Sequence, residues 1–108
     1  MIEQLPATAL HQWLEDTARN APLIIDVREP WEFETCHIPG ARSIPMQQIP
    51  VRLNELPEKS DIVVVCHHGA RSMQVANYLA QAGRGRVYNL SGGVAAWADQ
   101  VDPAMPRY

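Results

Sequence analysis

The chain has 108 residues, enough for one domain and too few for two ordinary ones, and 46% of them are apolar, which marks a globular protein rather than a disordered one. Nine Lys and Arg against twelve Asp and Glu leave a net charge of −3, which argues against a general nucleic-acid binder, since that needs a basic footprint; a local anion site can still oppose the overall sign. No apolar run approaches the roughly 20 residues of a membrane span, and the opening "MIEQLPATALHQWLED" has no basic region followed by an apolar stretch, so no signal peptide is expected and the cytoplasm is the expected compartment.

In chain order, Leu10, Trp13, Leu14 and Thr17 recur at helical spacing and predict a helix over 8–19, with Pro6 at its start. "PLIIDV" at 22–27 is a short apolar run suited to a buried strand. "REPWEFETCHIPGARSIP" is punctuated by three prolines and one glycine and reads as irregular, with "RSI" as a brief strand inside it. Ile49, Leu53 and Leu56 share one helical face, and Pro57 ends that helix. "DIVVVC" at 61–66 is the strongest strand, β-branched and continuous. A helix over 72–82 follows, with Val75, Ala76, Leu79 and Ala82 inward and Gly83 at its C-cap. "RVYNL" at 86–90 is another strand, "SGG" turns the chain, and Val94, Trp97 and Val101 give a last short helix. The tail "DPAMPRY" has no pattern, and about 99–108 is expected to be loosely packed, draped or frayed. Residues 1–108 read as a single domain without repeat or linker.

Strands alternating with helices imply an α/β fold, a parallel sheet covered on both faces. Ligands bind such sheets at the carboxyl ends of the strands, where Cys66 stands. Only Cys36 and Cys66 are present, and in a reducing compartment a catalytic thiol is a better use for one of them than a disulfide.

A free thiol has a pKa of about 8.5, and a helix N-terminus with its unpaired amides can lower that to about 7 or below. Residues 67–72 are short enough to curl their amides around one point, and Gly69 removes a side-chain clash from the curl. Arg71 adds a fixed cation, and His67 and His68 add donors that gain charge as pH falls toward about 6.5. Such a loop holds a thiolate and then whatever anionic group replaces it. Attack on phosphorus and attack on a sulfane sulfur both fit. Four residues separate Cys66 from Arg71, and a tetrahedral phosphoryl group needs a wider cradle than one terminal sulfur atom. Against these roles stand plainer ones: Cys66 as a buried structural thiol, Arg71 as a solvated first-turn residue, each histidine as an ordinary loop residue. For Cys66 the order strand, Cys, Gly, Arg, helix favours the nucleophile.

Three ordered motifs carry a resemblance over nearly the whole chain. "LIIDVREPWEFETCHIPGARSIP", with Asp26-Val27-Arg28, Glu32 and His37-Ile38-Pro39-Gly40-Ala41, "VVVCHHGARS" and "LSGGVAAW" are similar to the signatures of the single-domain rhodaneses, a sulfurtransferase family. The resemblance implies a five-stranded parallel sheet wrapped by helices. It implies Cys66 as the nucleophile that becomes a persulfide, cradled by the backbone of His67, His68, Gly69, Ala70, Arg71 and Ser72, with Arg71 closing the cradle. Related phosphatases and arsenate reductases carry a loop one residue longer.

One position departs from the family: Cys36 stands where glycine is usual, read either as a backbone that needs no positive φ or as a second thiol near the site, with the first favoured. Asp26, Arg28 and Glu32 are expected to form a buried or half-buried ion-pair network with a structural role. Trp31 and Trp97 are expected to pack, with the site's mouth as the other place for Trp31. Zinc is not expected, since no Cys-x-x-Cys pair exists. The implied reaction is thiosulfate sulfurtransfer by a ping-pong route, with cyanide or a thiol as acceptor, Arg71 with His67 or His68 anchoring the donor, and no metal or organic cofactor. The alternative is a persulfide carrier or docking module loaded by a protein partner such as a cysteine desulfurase. A non-catalytic rhodanese-like binding domain and a phosphatase rank below both.

Overall fold

A computed structural model describes residues 2–108. Its sheet has five strands, all parallel, in the order β1-β5-β4-β2-β3. These are β1 (Ile2–Pro6), β2 (Leu23–Asp26), β3 (Arg42–Ser43), β4 (Asp61–Val65) and β5 (Arg86–Ser91), and they alternate with α1 (Ala7–Glu15), α2 (Pro30–Thr35), α3 (Ala70–Gln81) and α4 (Gly93–Gln100). No helix of the described residues is long and apolar enough to cross a membrane.

The pleat of β4 divides the core. Ile62, Val64 and Cys66 pack with Val75, Ala76 and Leu79 of α3 on one face. Val63 and Val65 pack with Trp13 of α1 and Trp97 of α4 on the other. Ile62, Val63, Val64 and Val65 are all 0% exposed. Each such side chain contributes about 1.5–3 kcal/mol on burial, so β4, and with it the position of Cys66, is held by apolar packing on both faces of the sheet.

Several elements differ from the sequence expectation, each for a local reason. The first helix ends at Glu15 rather than 19 because Asp16 turns extended and its carboxylate accepts the Ala18 N–H at 3.0 Å, a side-chain bond that competes with the helix. The helix expected through Ile49, Leu53 and Leu56 is two 3₁₀ turns, Met46–Gln48 and Leu53–Glu55; Pro50 between them lacks the N–H that a continuous helix needs. Ile49 and Leu56 are nevertheless buried. The stretch read as irregular contains α2. Pro30 opens it, and the Glu29 N–H donates to the Glu32 carboxylate at 2.9 Å, so Glu32 serves in a capping box. β1 has no apolar run to mark it, because it is an edge strand with only Ile2 and Leu5 half-buried. α3 starts at Ala70, two residues earlier than expected, which places Arg71 on its first turn.

The segment expected to be loosely packed is tied down. Met105 is buried in the cluster of α1 and α4, the Arg107 guanidinium pairs with Asp99, and Tyr108 bonds two charged residues near Cys66.

Candidate active site

Cys66 is the first residue after β4, and the loop from it rises into the N-terminus of α3. Gly69 makes the turn possible. Its φ is +105°, and a Cβ there would press on Leu90 O and Gly92 N at 3.4 Å. In this conformation the Gly69 N–H points at the Cys66 Sγ, 3.0 Å away. The amides of Ala70, Arg71 and Ser72 occupy the first turn of α3, where no intrahelical acceptor exists. The thiol thus lies at the positive end of a 12-residue helix.

Polar side chains close the loop from below. The Cys66 thiol donates to Ser72 Oγ at 3.3 Å, and the Ser72 hydroxyl donates to Asn89 Oδ1 at 2.5 Å. Asn89, on β5, donates in turn to Gly69 O at 3.3 Å and to Gln4 Oε1 on β1 at 2.9 Å. The start of α4 supplies the rest of the floor. The Val94 N–H donates to Cys66 O at 2.9 Å and the Ala95 N–H to His67 O at 3.1 Å. Gly93, with φ +59°, permits this approach; a Cβ there would collide with those same two carbonyls. The "SGG" segment is therefore a support for the thiol loop as well as a turn.

Arg71 forks onto Glu32, Nη1 to Oε1 at 2.7 Å and Nη2 to Oε2 at 3.0 Å. The Glu32 side chain is 6% exposed and that of Arg71 37%, so the carboxylate is buried while the arginine side chain is partly open to solvent. The hydrogen bonds from Arg71 outweigh burial and hold the Glu32 carboxyl down at about 2; the same pairing raises Arg71 above its ordinary value. A second pair lies deeper: Arg28 donates to Asp26 through Nε at 2.8 Å and Nη2 at 2.6 Å, and to Cys36 O at 2.6 Å, with Asp26 and Arg28 both 0% exposed. Burial pulls the Arg28 pKa down, but its bonds to Asp26 and Tyr108 outweigh that and hold it above the ordinary value. The Tyr108 hydroxyl joins the pairs, accepting from Arg28 Nη1 at 2.7 Å and donating to Glu32 Oε2 at 2.8 Å. The expected network of Asp26, Arg28 and Glu32 is thus two ion pairs linked by a tyrosine, with Arg71 included.

The His67 ring lies between those of Tyr108 and His68, stacked at 4.2 and 4.1 Å. Burial, then the neighbouring His68, pushes the His67 pKa down, so its imidazole takes up a charge less readily than an ordinary histidine. A cleft of about 240 Å³ borders this stack, lined by Cys36, His67, His68, Val94, Pro106 and Tyr108 among others. Cys66 does not line it and is 1% exposed. The sulfur faces the inside of its loop.

Cys36 has φ −165°, extended backbone open to any residue, so replacing glycine there carries no strain. The thiols belong to different core clusters, Cys36 with α1 and α4, Cys66 with α3. Among the described residues no three His, Cys, Asp or Glu side chains converge on a common point. Trp97 packs as expected, whereas Trp31 is 60% exposed and meets Tyr108 edge-on at 5.4 Å. Sequence reasoning did not single out Asn89, Gly93 or Tyr108. Asn89 carried a signal, a lone amide inside an apolar strand; Tyr108 carried none.

The sequence matches the rhodanese-like domain family over residues 7–100. A protein named sulfurtransferase from Allochromatium vinosum is 44% identical over 98 residues, which cover 91% of this chain and 90% of that protein. Thiosulfate sulfurtransferase GlpE of Pseudoalteromonas translucida is 33% identical over 99 residues, covering 92% of this chain and 94% of that one. Among solved structures, a rhodanese-like domain protein from Staphylococcus aureus superposes with a TM-score of 0.83 at 32% identity, covering 92% of this chain and 94% of its own.

Proposed function

The chain belongs to the rhodanese-like domain family, whose members include proteins named as sulfurtransferases, and on that premise we propose that Cys66 carries a sulfane sulfur from thiosulfate or a similar donor to a thiophilic acceptor. The observation that carries this reading is the Gly69 N–H aimed at the Cys66 Sγ at 3.0 Å, with further first-turn amides of α3 beside it. Such donors can hydrogen-bond a sulfur anion held at that point.

The cycle has two displacements. The Cys66 thiolate attacks the outer sulfur of thiosulfate; the new S–S bond forms as the bond to the sulfonate breaks, and sulfite departs with the electron pair. The persulfide's terminal sulfur then lies among the amides of Gly69, Ala70, Arg71 and Ser72. Cyanide or a thiolate attacks that sulfur, and Cys66 leaves as thiolate. Arg71 meets the donor's sulfonate from its exposed side while both Nη atoms keep hold of Glu32. Burial disfavours a charge on His67, whose ring serves chiefly as a polar surface beside the loop.

A second reading, a persulfide carrier loaded by a protein such as a cysteine desulfurase, is favoured by the 1% exposure of Cys66, which leaves little of the sulfur open to a free small molecule. Intact mass after incubation with thiosulfate separates the two. The expected result is a gain of one sulfur atom that Cys66→Ser abolishes. Loading from a desulfurase alone selects the carrier, and no gain from any sulfane source removes both.

A further inference from the structure

We infer that Tyr108 is a positioning residue for the recognition of anionic sulfur donors: its hydroxyl sets Glu32, and through Glu32 the Arg71 guanidinium, while its ring sets His67. The inference rests on the reading above in which Arg71 meets the donor. The hydroxyl does two opposite things at once, accepting from Arg28 at 2.7 Å and donating to Glu32 at 2.8 Å. Its reference point is rigid, because Arg28 is 0% exposed and is fixed by Asp26 and by Cys36 O. One carboxylate oxygen of Glu32 is held by the Glu29 N–H of its own cap, the other is tied to β2 through a phenol, and the fork on Arg71 inherits both.

The ring does separate work. It stacks on His67 at 4.2 Å, meets Trp31 edge-on at 5.4 Å and has the Arg28 guanidinium 5.7 Å from its centroid. The segment that brings it there is held by buried Met105 and by Arg107 on Asp99 and on Ala98 O, and Pro106 and Tyr108 form a wall of the cleft beside His67. Burial first, with the bond to Glu32, pushes the phenol up to about 12, so the donor proton is present throughout the working pH range.

Tyr108→Phe keeps the ring and removes the hydroxyl. The expected result is a KM for thiosulfate raised about three- to tenfold with kcat nearly unchanged, the size of one lost hydrogen bond to a charged group shared over a neighbour. A neutral sulfane donor, a dialkyl polysulfide, should show no change in KM. An unchanged KM for thiosulfate, or equal changes for both donors, overturns the inference. A readout without turnover separates it from the reaction itself. The Glu32 carboxyl carbon, followed by NMR from pH 5 downward, should titrate at higher pH in Tyr108→Phe than in the parent. If it does not move, Tyr108 does not set Glu32. If it moves in a protein that transfers no sulfur, the coupling is supported and the proposed reaction is what fails.

Discussion

Ser72 stands between Cys66 and Asn89, accepting from the thiol at 3.3 Å and donating its one hydroxyl proton to Asn89 Oδ1 at 2.5 Å. When Cys66 is a thiolate the sulfur becomes an acceptor, and the same proton has two claimants. Turning it toward the sulfur strips Asn89 Oδ1, on a residue 4% exposed, of its partner. Ser72→Ala should therefore slow alkylation of Cys66 by iodoacetamide at neutral pH by roughly tenfold, the effect of losing a hydrogen bond to a charged acceptor. A rate equal to the parent's would show that the hydroxyl stays with Asn89.

Glycine positions give a graded test of the loop's floor. Gly83 has φ +74° and open space around its Cβ position, so Gly83→Ala should cost about 1 kcal/mol from the left-handed conformation alone. Gly93→Ala meets the carbonyls of Cys66 and His67, backbone that cannot swing aside. It should cost on the order of 3 kcal/mol or more by urea unfolding and abolish sulfur loading. Equal losses at the two positions would mean that the α4 start does not support the loop.

Glu32 makes stability depend on acid. Its folded pKa is about 2 against an ordinary 4.5, so its contribution is fully present above about pH 4.5 and is lost as pH falls toward 2. Since the Arg71 side chain is 37% exposed, solvent screening trims the effect to about 1–2 kcal/mol. Glu32→Gln should flatten the decline of the urea midpoint across that window. A variant that keeps the parent's slope would assign acid lability to other carboxylates.

Cys36→Ser should retain most of the parent's turnover. The side chain belongs to the core cluster of α1 and α4, and burying a hydroxyl there costs about 1–3 kcal/mol, visible as a lower melting temperature. Collapse of sulfur transfer in a folded Cys36→Ser protein would bring this thiol into the reaction.

Periodicity revealed what packs on both sides. The apolar runs of β2, β4 and β5 are legible, and so are Leu10 and Trp13 of α1, Val75, Ala76 and Leu79 of α3 and Val94 and Trp97 of α4, because burial writes itself into spacing; Leu14, Thr17 and Ala82, expected on the same stripes, are exposed. The loop from Cys66 to Ser72 was legible as a strand-to-helix thiol. β1 was not, being an edge strand half in water, and α2 was hidden by prolines although Pro30 and the Glu29–Glu32 cap announce it. Arg71 is legible as a fixed cation beside the thiol loop, but its pairing with Glu32 is not. That pairing spans 39 positions and no local pattern encodes it. Tyr108 lies beyond every periodic element, and only three-dimensional contact gives it a role.

The carbonyls of Cys66 and His67 are received by the start of α4, and Asn89 of β5 receives Ser72. On a ribosome, then, the thiol emerges after β2, Gln4 and Glu32 but before Ser72, Asn89 and the start of α4 have been made. Until β5 and α4 have docked, Cys66 is an unheld side chain on a half-built sheet, and its reactive setting arises late, together with cooperative closure of the whole domain. The complete setting of Cys66 is a property of finished molecules.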